Sequence, residues 1–234
     1  MQSERIRGLI AGVALIAAGV CYSSWVFEFV FPAGLDPLRT FLSELDSESM
    51  PHRHIYQVGD LLTVAASIIA ALALLIYPAV VHGRLQKTAA VAVGVFGVAT
   101  IADVLTPFSC VPGRDHGCRA EGTGILRQLT SVHAMTSTVA VVALFVTMIA
   151  ATVAAWRGAP WPLLKYAGLT VLVIIVLATA WMMAADKLDG DYRLGLAQRI
   201  EIGGMSVWLV LWGVAVTLAA RRARQAPGFG NDAE

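Results

Sequence analysis

Four residues in this sequence have the types and surroundings needed for acid–base or nucleophilic chemistry. Asp103 and His133 each interrupt a long apolar run, and Ser43 and Glu44 lie in a polar segment, TFLSEL, between two such runs. An ionisable side chain at membrane depth is costly and marks a functional site by default. In a catalytic interpretation His133 is a general base or a metal ligand, and Asp103 orients it. Ser43 and Glu44 then complete the candidate catalytic set.

The surroundings of His133 also allow a structural interpretation. Thr130 precedes it by three residues and Ser137 follows it by four, so one face of a helix here would be polar. A buried histidine that only holds helices together explains this pattern, and so does a histidine that binds or catalyses. Both interpretations stay open on the sequence.

Long helices must position these residues, because the chain is strongly apolar. Of its 234 residues, 57% are hydrophobic and only 14% are charged, whereas soluble domains carry about a quarter charged residues. Several apolar runs reach about 20 residues, the length of a helix that crosses a bilayer. The sequence therefore predicts an all-α, polytopic membrane protein with six transmembrane helices. Their expected ranges are 7–31, 55–81, 88–105, 126–156, 163–185 and 196–220.

The six helices are expected to form one domain over residues 1–225, followed by a disordered tail at 226–234. Six crossings place both termini on one side of the membrane. The Lys and Arg residues of that side lie in short flanks beside helix ends, where the positive-inside rule acts. We therefore expect a multi-pass protein of the plasma membrane with both termini in the cytoplasm. The flanking cations are Arg5, Arg7, Arg84, Lys87, Arg157, Lys165, Arg221, Arg222 and Arg224.

Two of the cysteines, Cys110 and Cys118, share the short loop after the third predicted helix, whereas Cys21 lies inside the first helix. With the termini in the cytoplasm, this loop faces the outside of the cell, where disulfides persist. We therefore predict a Cys110–Cys118 disulfide in an extracytoplasmic loop.

Every predicted helix contributes one ionisable group near its outer end. Counting about 1.5 Å per residue from that end places the groups roughly one to two turns below the surface. The simplest arrangement is a polar cup that opens outward. Two of the groups, Glu28 and Asp186, are close enough to the surface to be solvated helix ends. The whole layer comprises Glu28, Asp60, Asp103, His133, Asp186 and Glu201.

The acids of this layer also have a purely structural interpretation. Buried charges must be paired whether or not they act in chemistry. Asp60 and Glu201, like Asp103, could therefore be paired with Arg127, Arg199 or Arg53. We assign the set Asp60, Glu201, Arg199 and Arg127 to a structural polar layer.

The polar layer could also bind zinc, which requires about four N, S or O ligands. His133 and Asp103 are the main candidates, and Asp60 and Glu201, with His52 or His54 from the first loop, could complete the set. No local ligand spacing supports this site. Haem is not expected, because His133 is the only histidine deep inside a predicted helix. No basic cluster interleaved with aromatic residues suggests nucleic acid. The expected partners are membrane lipids and another membrane protein or complex.

Several short motifs resemble a known family. The segment DPLRTFLSEL, the proline-containing loop after the third helix, His133 in HAMTS and the pair Gln198-Arg199 are similar to the DUF998 membrane family. The resemblance covers most of the chain. Family members usually carry an aspartate soon after the proline of that loop. Here the loop reads TPFSCVPGRD, so this acid is either displaced to Asp115 or replaced in its role by Asp103.

More distantly, the architecture resembles the CREST membrane hydrolases, which use a Ser, an Asp and several His around zinc. The corresponding residues would be Ser43, Asp103 and His133, but Glu201 stands where those hydrolases carry a histidine pair. The first functional hypothesis is therefore a hydrolase or transferase acting on a lipid at the outer leaflet. The alternatives are a non-catalytic accessory subunit that binds a lipid, a quinone or a larger membrane complex, and an ion-coupled carrier.

Overall fold

The computed structural model describes residues 2–76, 83–112, 114–118, 131–185, 188 and 190–222. In this part of the chain the structure is all-helical, and six helices are long and apolar enough to cross a membrane. The predicted multi-pass helical architecture is thus confirmed, while the sidedness of the termini stays a prediction. The helices are α1 (Gln2–Cys21), α2 (Arg53–Leu75), α3 (Arg84–Leu105), α4 (Val132–Trp156), α5 (Leu164–Ala185) and α6 (Leu194–Arg222).

The six helices pack in the order α4, α3, α2, α1, α6, α5. Helix α5 packs mainly on α6, and it meets α4 through its π-helical first turn, Leu164–Gly168. Neighbouring helices run antiparallel, so α1, α3 and α5 end where α2, α4 and α6 begin. We call this end of the bundle the cavity end, and the opposite one the terminal end.

Helix α1 is shorter than the sequence predicts. It ends at Cys21, and the chain continues as a 3-10 helix over Ser24–Phe29. The tighter winding turns Glu28 inward, while Phe27 and Phe29 are exposed on either side of it. The change of winding therefore decides which residue of this segment enters the protein.

In the middle of the bundle, small residues let neighbouring helices approach each other closely. A Cβ atom added to Gly213 of α6 would lie 2.6 Å from the carbonyl oxygen of Gly12 in α1, so no side chain fits there. Such glycine contacts are typical of tightly packed membrane helices. Near the terminal end the space is filled by tryptophan, with the rings of Trp161 and Trp208 centred 5.8 Å and 5.7 Å from Trp212.

The loop between α1 and α2 is held on the beginning of α6. The side-chain oxygen of Gln198 accepts a hydrogen bond from the Leu42 backbone N–H at 2.6 Å. Next to it, Arg199 donates to the carbonyl oxygen of Thr40 at 2.8 Å. Next to this contact the chain forms the 3-10 turn Leu42–Asp46.

The loop after α3 packs on the other side of this first loop. It contains the Cys110–Cys118 disulfide, with Cα atoms 6.0 Å apart, which confirms the predicted pairing. The carbonyl oxygen of Phe108 accepts a hydrogen bond from the Glu48 N–H at 2.8 Å. The carboxylate of Asp115 accepts one from the Ser49 hydroxyl at 2.7 Å. The two loops thus form one layer over the cavity end.

Candidate functional site

A partly enclosed cavity of about 120 Å³ lies at the cavity end, between the first loop and α1, α2, α3, α4 and α6. Its wall contains three carboxyl groups, from Asp46, Asp60 and Asp103, and the imidazole of His133. None of the described residues that line it is a lysine or an arginine. Other polar and aromatic side chains of the wall are those of Tyr22, Ser24, Trp25, Ser43, Tyr56, Thr100, Ser137 and Gln198.

His133 and Asp103 meet at the junction of α3 and α4. Asp103 is in the last turn of α3 and His133 in the first turn of α4, and Nδ1 of the imidazole lies 3.2 Å from Oδ1 of the carboxylate. The distance is that of an ion pair, but neither ring nitrogen has a hydrogen-bond partner among the described residues. The imidazole is only 6% exposed. The ring of Phe108 covers it, with centroids 4.1 Å apart.

The carboxylate of Asp103 is fixed by hydroxyl groups of α4. Its Oδ1 accepts hydrogen bonds from Ser137 at 2.6 Å and from Thr136 at 2.9 Å. These two residues follow His133 by about one helical turn, so the same face of α4 supplies the imidazole and both hydroxyls. Ser131 caps the helix by accepting a hydrogen bond from its first turn, which fixes where α4 begins. Asp103 is therefore placed to orient His133 and to stabilise its protonated form.

Several buried polar atoms of the cavity wall have no hydrogen-bond partner in the described part of the chain. They include Oδ1 of Asp46, the hydroxyl of Tyr56, Nε1 of Trp25 and both ring nitrogens of His133. Leaving such a group unsatisfied costs about 1–3 kcal/mol. Native proteins keep few of them, and each one requires an explanation. A polar occupant of the cavity would supply the partners that these atoms lack.

Asp46 is a cavity acid whose protonation is poised near neutral pH. Burial raises its pKa from 3.8 to about 7, against the attraction of Arg53 and with a further contribution from the charge of Asp103. The carboxyl of Asp46 can therefore accept or release a proton in the physiological range.

Three of the four predicted catalytic residues, Ser43, Asp103 and His133, line the cavity. Ser43 makes no hydrogen bond to His133 within the described structure. Glu44 does not line the cavity. Its carboxylate accepts a hydrogen bond from the Phe41 N–H at 3.2 Å and so closes the turn that carries Ser43. Burial raises the pKa of Glu44, although that hydrogen bond and the charge of Arg199 oppose the shift.

The expected polar layer is divided between the cavity and an ion pair beside it. Asp60 lines the cavity, whereas Arg199 pairs with Glu28 through contacts of 2.7 Å and 2.6 Å. Glu28 is 7% exposed, so the expectation of a solvated helix end was wrong. Glu201 accepts a hydrogen bond from Thr179 at 2.6 Å and faces α5 instead of an arginine. Two further members, Arg127 and Asp186, lie outside the described residues, as does the tail at 226–234.

Sequence reasoning missed Asp46 although a signal for it was present. Asp46 follows Ser43 by three residues, and side chains at that spacing share one face of a 3-10 helix. The turn Leu42–Asp46 has this winding, so both side chains reach the cavity. The contributions of Tyr22, Trp25 and Tyr56 had no comparable signal, because aromatic residues near helix ends also occur at membrane interfaces.

The described residues do not form a metal site. Among them, no group of three or more His, Cys, Asp or Glu side chains is close enough to hold a metal ion. His133 and Asp103 provide two ligands, about half of what zinc requires. The zinc site considered from the sequence is therefore not supported by the geometry, and no chemistry of the cavity is derived through a metal.

Comparisons with known proteins identify a family and nothing more specific. No curated protein and no solved structure gave a significant match, and the resemblance to the CREST hydrolases found no support. One family, described as "Protein of unknown function (DUF998)", matches residues 15–215. This range contains the whole cavity wall, and the motifs DPLRTFLSEL, His133 and Gln198-Arg199 meet at that end of the bundle. Because the match covers most of the chain, the protein belongs to the DUF998 family.

Proposed function

We propose that the protein is a membrane hydrolase or transferase whose cavity receives the polar headgroup of a lipid or another amphiphile. The observation that carries this proposal is the approach of His133 to Asp103, 3.2 Å apart, beside a cavity that also contains Ser43. A hydroxyl, an imidazole and a carboxylate that orients the imidazole are the components of nucleophilic catalysis. The proposal does not rest on the CREST resemblance.

Each member of this set has a role in acyl transfer. Nε2 of His133 accepts the proton of the Ser43 hydroxyl, whose oxygen attacks the carbonyl carbon of an ester or amide. Asp103 stabilises the resulting imidazolium, which then gives its proton to the leaving alcohol or amine. Water, or a second alcohol or amine, takes up the acyl group. The missing hydrogen bond between Ser43 and His133 is compatible with this mechanism, because catalytic hydrogen bonds often form only when substrate is bound.

The size of the cavity sets how a substrate would be held. Pockets that enclose a whole drug-sized ligand measure about 300–1,000 Å³, whereas this cavity measures about 120 Å³. Only the headgroup and the reacting bond therefore enter the protein. The hydrocarbon tails stay in the bilayer, which explains why a site of this size would belong to a membrane enzyme.

We place the cavity on the extracytoplasmic face of the plasma membrane. The short basic flanks at the terminal end support this orientation through the positive-inside rule. The Cys110–Cys118 disulfide lies in a loop at the cavity end, and disulfides persist in oxidising compartments. The substrate would then be an amphiphile of the outer leaflet.

The test is turnover of a panel of lipid esters and amides by the purified protein in mixed micelles. His133→Gln is expected to lower turnover by about 10²- to 10⁴-fold, with little change in the thermal unfolding midpoint. Thr138→Val is the matched control, because Thr138 is on the same helix but bonds only to the backbone of Ala134. The proposal fails if the wild-type protein cleaves none of the panel, or if His133→Gln retains wild-type turnover.

A second candidate is a non-catalytic accessory subunit of a larger membrane complex. The observation that favours it is the exposure of α5. Only 22% of the apolar span of α5 is buried within the protein, whereas 56% is buried in α4 and in α6. Such a helix has a large surface left for a partner. Purification in a mild detergent should then yield a stoichiometric companion protein. A homogeneous monomer that turns over lipid would contradict this candidate.

A further inference from the structure

We propose that the cavity recognises a small ammonium group, so that the amphiphile on which the site acts has a cationic headgroup. The inference rests on the proposed function, because it names the substrate class of the same site. Three features support it: the acids of the cavity wall, the unpartnered polar atoms of residues that line the cavity, and the small size of the cavity.

Three acids line the cavity, and none of the described residues of its wall is a lysine or an arginine. Asp46, Asp60 and Asp103 line it together. Within the described chain neither Asp46 nor Asp60 forms an ion pair, and the ion-pair partner of Asp103 is the imidazole of His133. Carboxylates concentrated in a low-dielectric cavity favour the entry of a cation, because charges interact strongly there.

Of the two nearby arginines, Arg199 is not free to neutralise these acids. Arg199 donates to both carboxylate oxygens of Glu28 and also to the carbonyl oxygens of Thr40 and Gly195. Arg53 attracts Asp46 electrostatically, but it does not line the cavity. An external cation would therefore provide the charge that the wall lacks.

The unpartnered atoms define the kind of cation. Oδ1 of Asp46 is a buried acceptor without a donor, and Asp46 is only 8% exposed. An ammonium N–H supplies such a donor, and hydrogen bonds between charged groups are among the strong ones. The wall also contains Tyr22, Trp25 and Tyr56. Aromatic residues combined with carboxylates are a recurrent means of binding organic ammonium ions.

The remaining unpartnered groups are donors. The hydroxyl of Tyr56 and Nε1 of Trp25 have no acceptor within the described structure. A headgroup in which an oxygen atom lies close to the ammonium satisfies both kinds of group at once. The cavity of about 120 Å³ is smaller than the pockets of about 300–1,000 Å³ that hold drug-sized ligands, so the bound group must be small, as an amino alcohol is.

The experiment is a thermal unfolding titration of the detergent-purified protein at pH 8 and constant ionic strength. This pH lies above the value of about 7 to which burial raises the pKa of Asp46. The probes are ethanolamine and choline, and the neutral comparison compounds are ethylene glycol and 3,3-dimethylbutanol. We expect saturable stabilisation by ethanolamine, whose ammonium N–H groups can donate to Asp46, and none by ethylene glycol. Choline, which has no N–H group, should stabilise less than ethanolamine, as 3,3-dimethylbutanol should. Equal stabilisation by ethanolamine and ethylene glycol, or by sodium chloride alone, would overturn the inference.

Two substitutions test the acids directly. Asp60→Asn should weaken the apparent affinity for the ammonium compound by about 10-fold or more, the effect of losing a charged hydrogen bond. Asp46→Asn provides the same readout if Asp60→Asn does not fold. Asp191→Asn, at an exposed acid that pairs with Arg39, should leave the affinity unchanged. Wild-type affinity in both cavity variants would contradict the inference.

Binding and catalysis can fail independently in this design. His133→Gln should keep the ammonium-dependent stabilisation while it loses turnover. If ammonium compounds bind but no lipid is cleaved, the inference of ammonium recognition is supported and the proposed reaction is contradicted. If lipids with neutral headgroups are cleaved and ammonium compounds do not bind, the reaction stands and the recognition falls.

Discussion

Two acid–base pairs lie at the cavity end, and they differ in how completely their hydrogen-bonding groups are satisfied. Arg199 and Glu28 form a double hydrogen bond at 2.7 Å and 2.6 Å, and the guanidinium also binds backbone carbonyls. His133 lies 3.2 Å from Asp103 without hydrogen-bond alignment, and neither ring nitrogen has a partner in the described chain. The first pair is complete, whereas the second still has capacity to bind or to exchange a proton.

This difference distinguishes a pair that stabilises the fold from a pair that can take part in a reaction. A buried ion pair is tolerable when geometry and additional hydrogen bonds satisfy both partners, as at Arg199 and Glu28. That pair also holds the first loop through Thr40, and the loop carries Ser43 to the cavity. A pair that stays unsatisfied costs stability and is retained where function requires it. We therefore assign a structural role to Arg199 and a reactive one to His133.

The largest expected effect is on stability, at the complete pair. Arg199→Met leaves the Glu28 carboxylate buried and unpaired, and should lower the free energy of unfolding by about 3–5 kcal/mol. The double variant Glu28→Leu/Arg199→Met should recover most of the loss, because no charge is then left unpaired. Denaturant unfolding in detergent measures both.

A surface pair provides the control for this prediction. Arg39 is 66% exposed and contacts Asp191 at 2.8 Å, so Arg39→Met should cost less than about 1 kcal/mol. If Arg199→Met were no more destabilising than Arg39→Met, Arg199 and Glu28 would not support the fold as described.

The next largest effect is on turnover, at the incomplete pair. Asp103→Asn keeps an oxygen for the hydroxyls of α4 but removes the charge that stabilises protonated His133. We expect turnover to fall by about 10²-fold or more, with a much smaller change in stability than Arg199→Met causes. Glu201→Gln is the matched control, since Glu201 is a buried acid that does not line the cavity. Equal losses of turnover in the two variants would remove the distinction between them.

The pH dependence of stability should report Asp46. Burial raises its pKa from 3.8 to about 7, so between these values the folded protein binds more protons than the unfolded chain. The contribution of Asp46 to the free energy of unfolding should therefore be fully present below about pH 4 and be lost as the pH rises toward 7. Asp46→Asn should flatten this part of the profile, whereas Glu48→Gln, at an exposed acid of the same loop, should not. Identical profiles for wild type and Asp46→Asn would show that Asp46 is not buried as described.

The smallest effect concerns the hydroxyls that hold Asp103. Thr136→Val removes one hydrogen bond to the carboxylate and should lower turnover by about 2- to 10-fold, the equivalent of one hydrogen bond. Thr138→Val removes a hydroxyl two residues further on that bonds only to its own helix, and should have no effect. Steady-state kinetics of the two variants side by side decide whether the orientation of Asp103 matters.

Much of the fold followed from apolar runs alone, because a helix that crosses a bilayer needs length and low charge more than any particular residue. Counting residues from the helix ends also placed Asp103 and His133 at one level on neighbouring helices, where the structure brings them to 3.2 Å. The Cys110–Cys118 pairing was predictable in the same way. These features depend on position along regular helices, which the sequence encodes locally.

The features that escaped prediction depend on irregular backbone. Glu28 turns inward because a 3-10 helix replaces the expected end of α1, and helical periodicity does not reveal this change. Arg199 consequently pairs with Glu28 and not with the acids assigned to it. The turn that carries Asp46 is held by a hydrogen bond from the Leu42 N–H to the side chain of Gln198, which is distant in the sequence. Such long-range contacts have no signature in a single sequence.

The most direct test of the central claim is covalent labelling of Ser43 by a fluorophosphonate, followed by peptide mass mapping. In this reaction the Ser43 oxygen bonds to phosphorus, fluoride leaves, and His133 takes up the hydroxyl proton. If the incomplete pair is reactive, the wild-type protein and Thr138→Val label at Ser43 at similar rates, while labelling of His133→Gln is slower by about 10²-fold or more. No adduct at Ser43 in the wild type, or equal labelling in His133→Gln, would contradict the account.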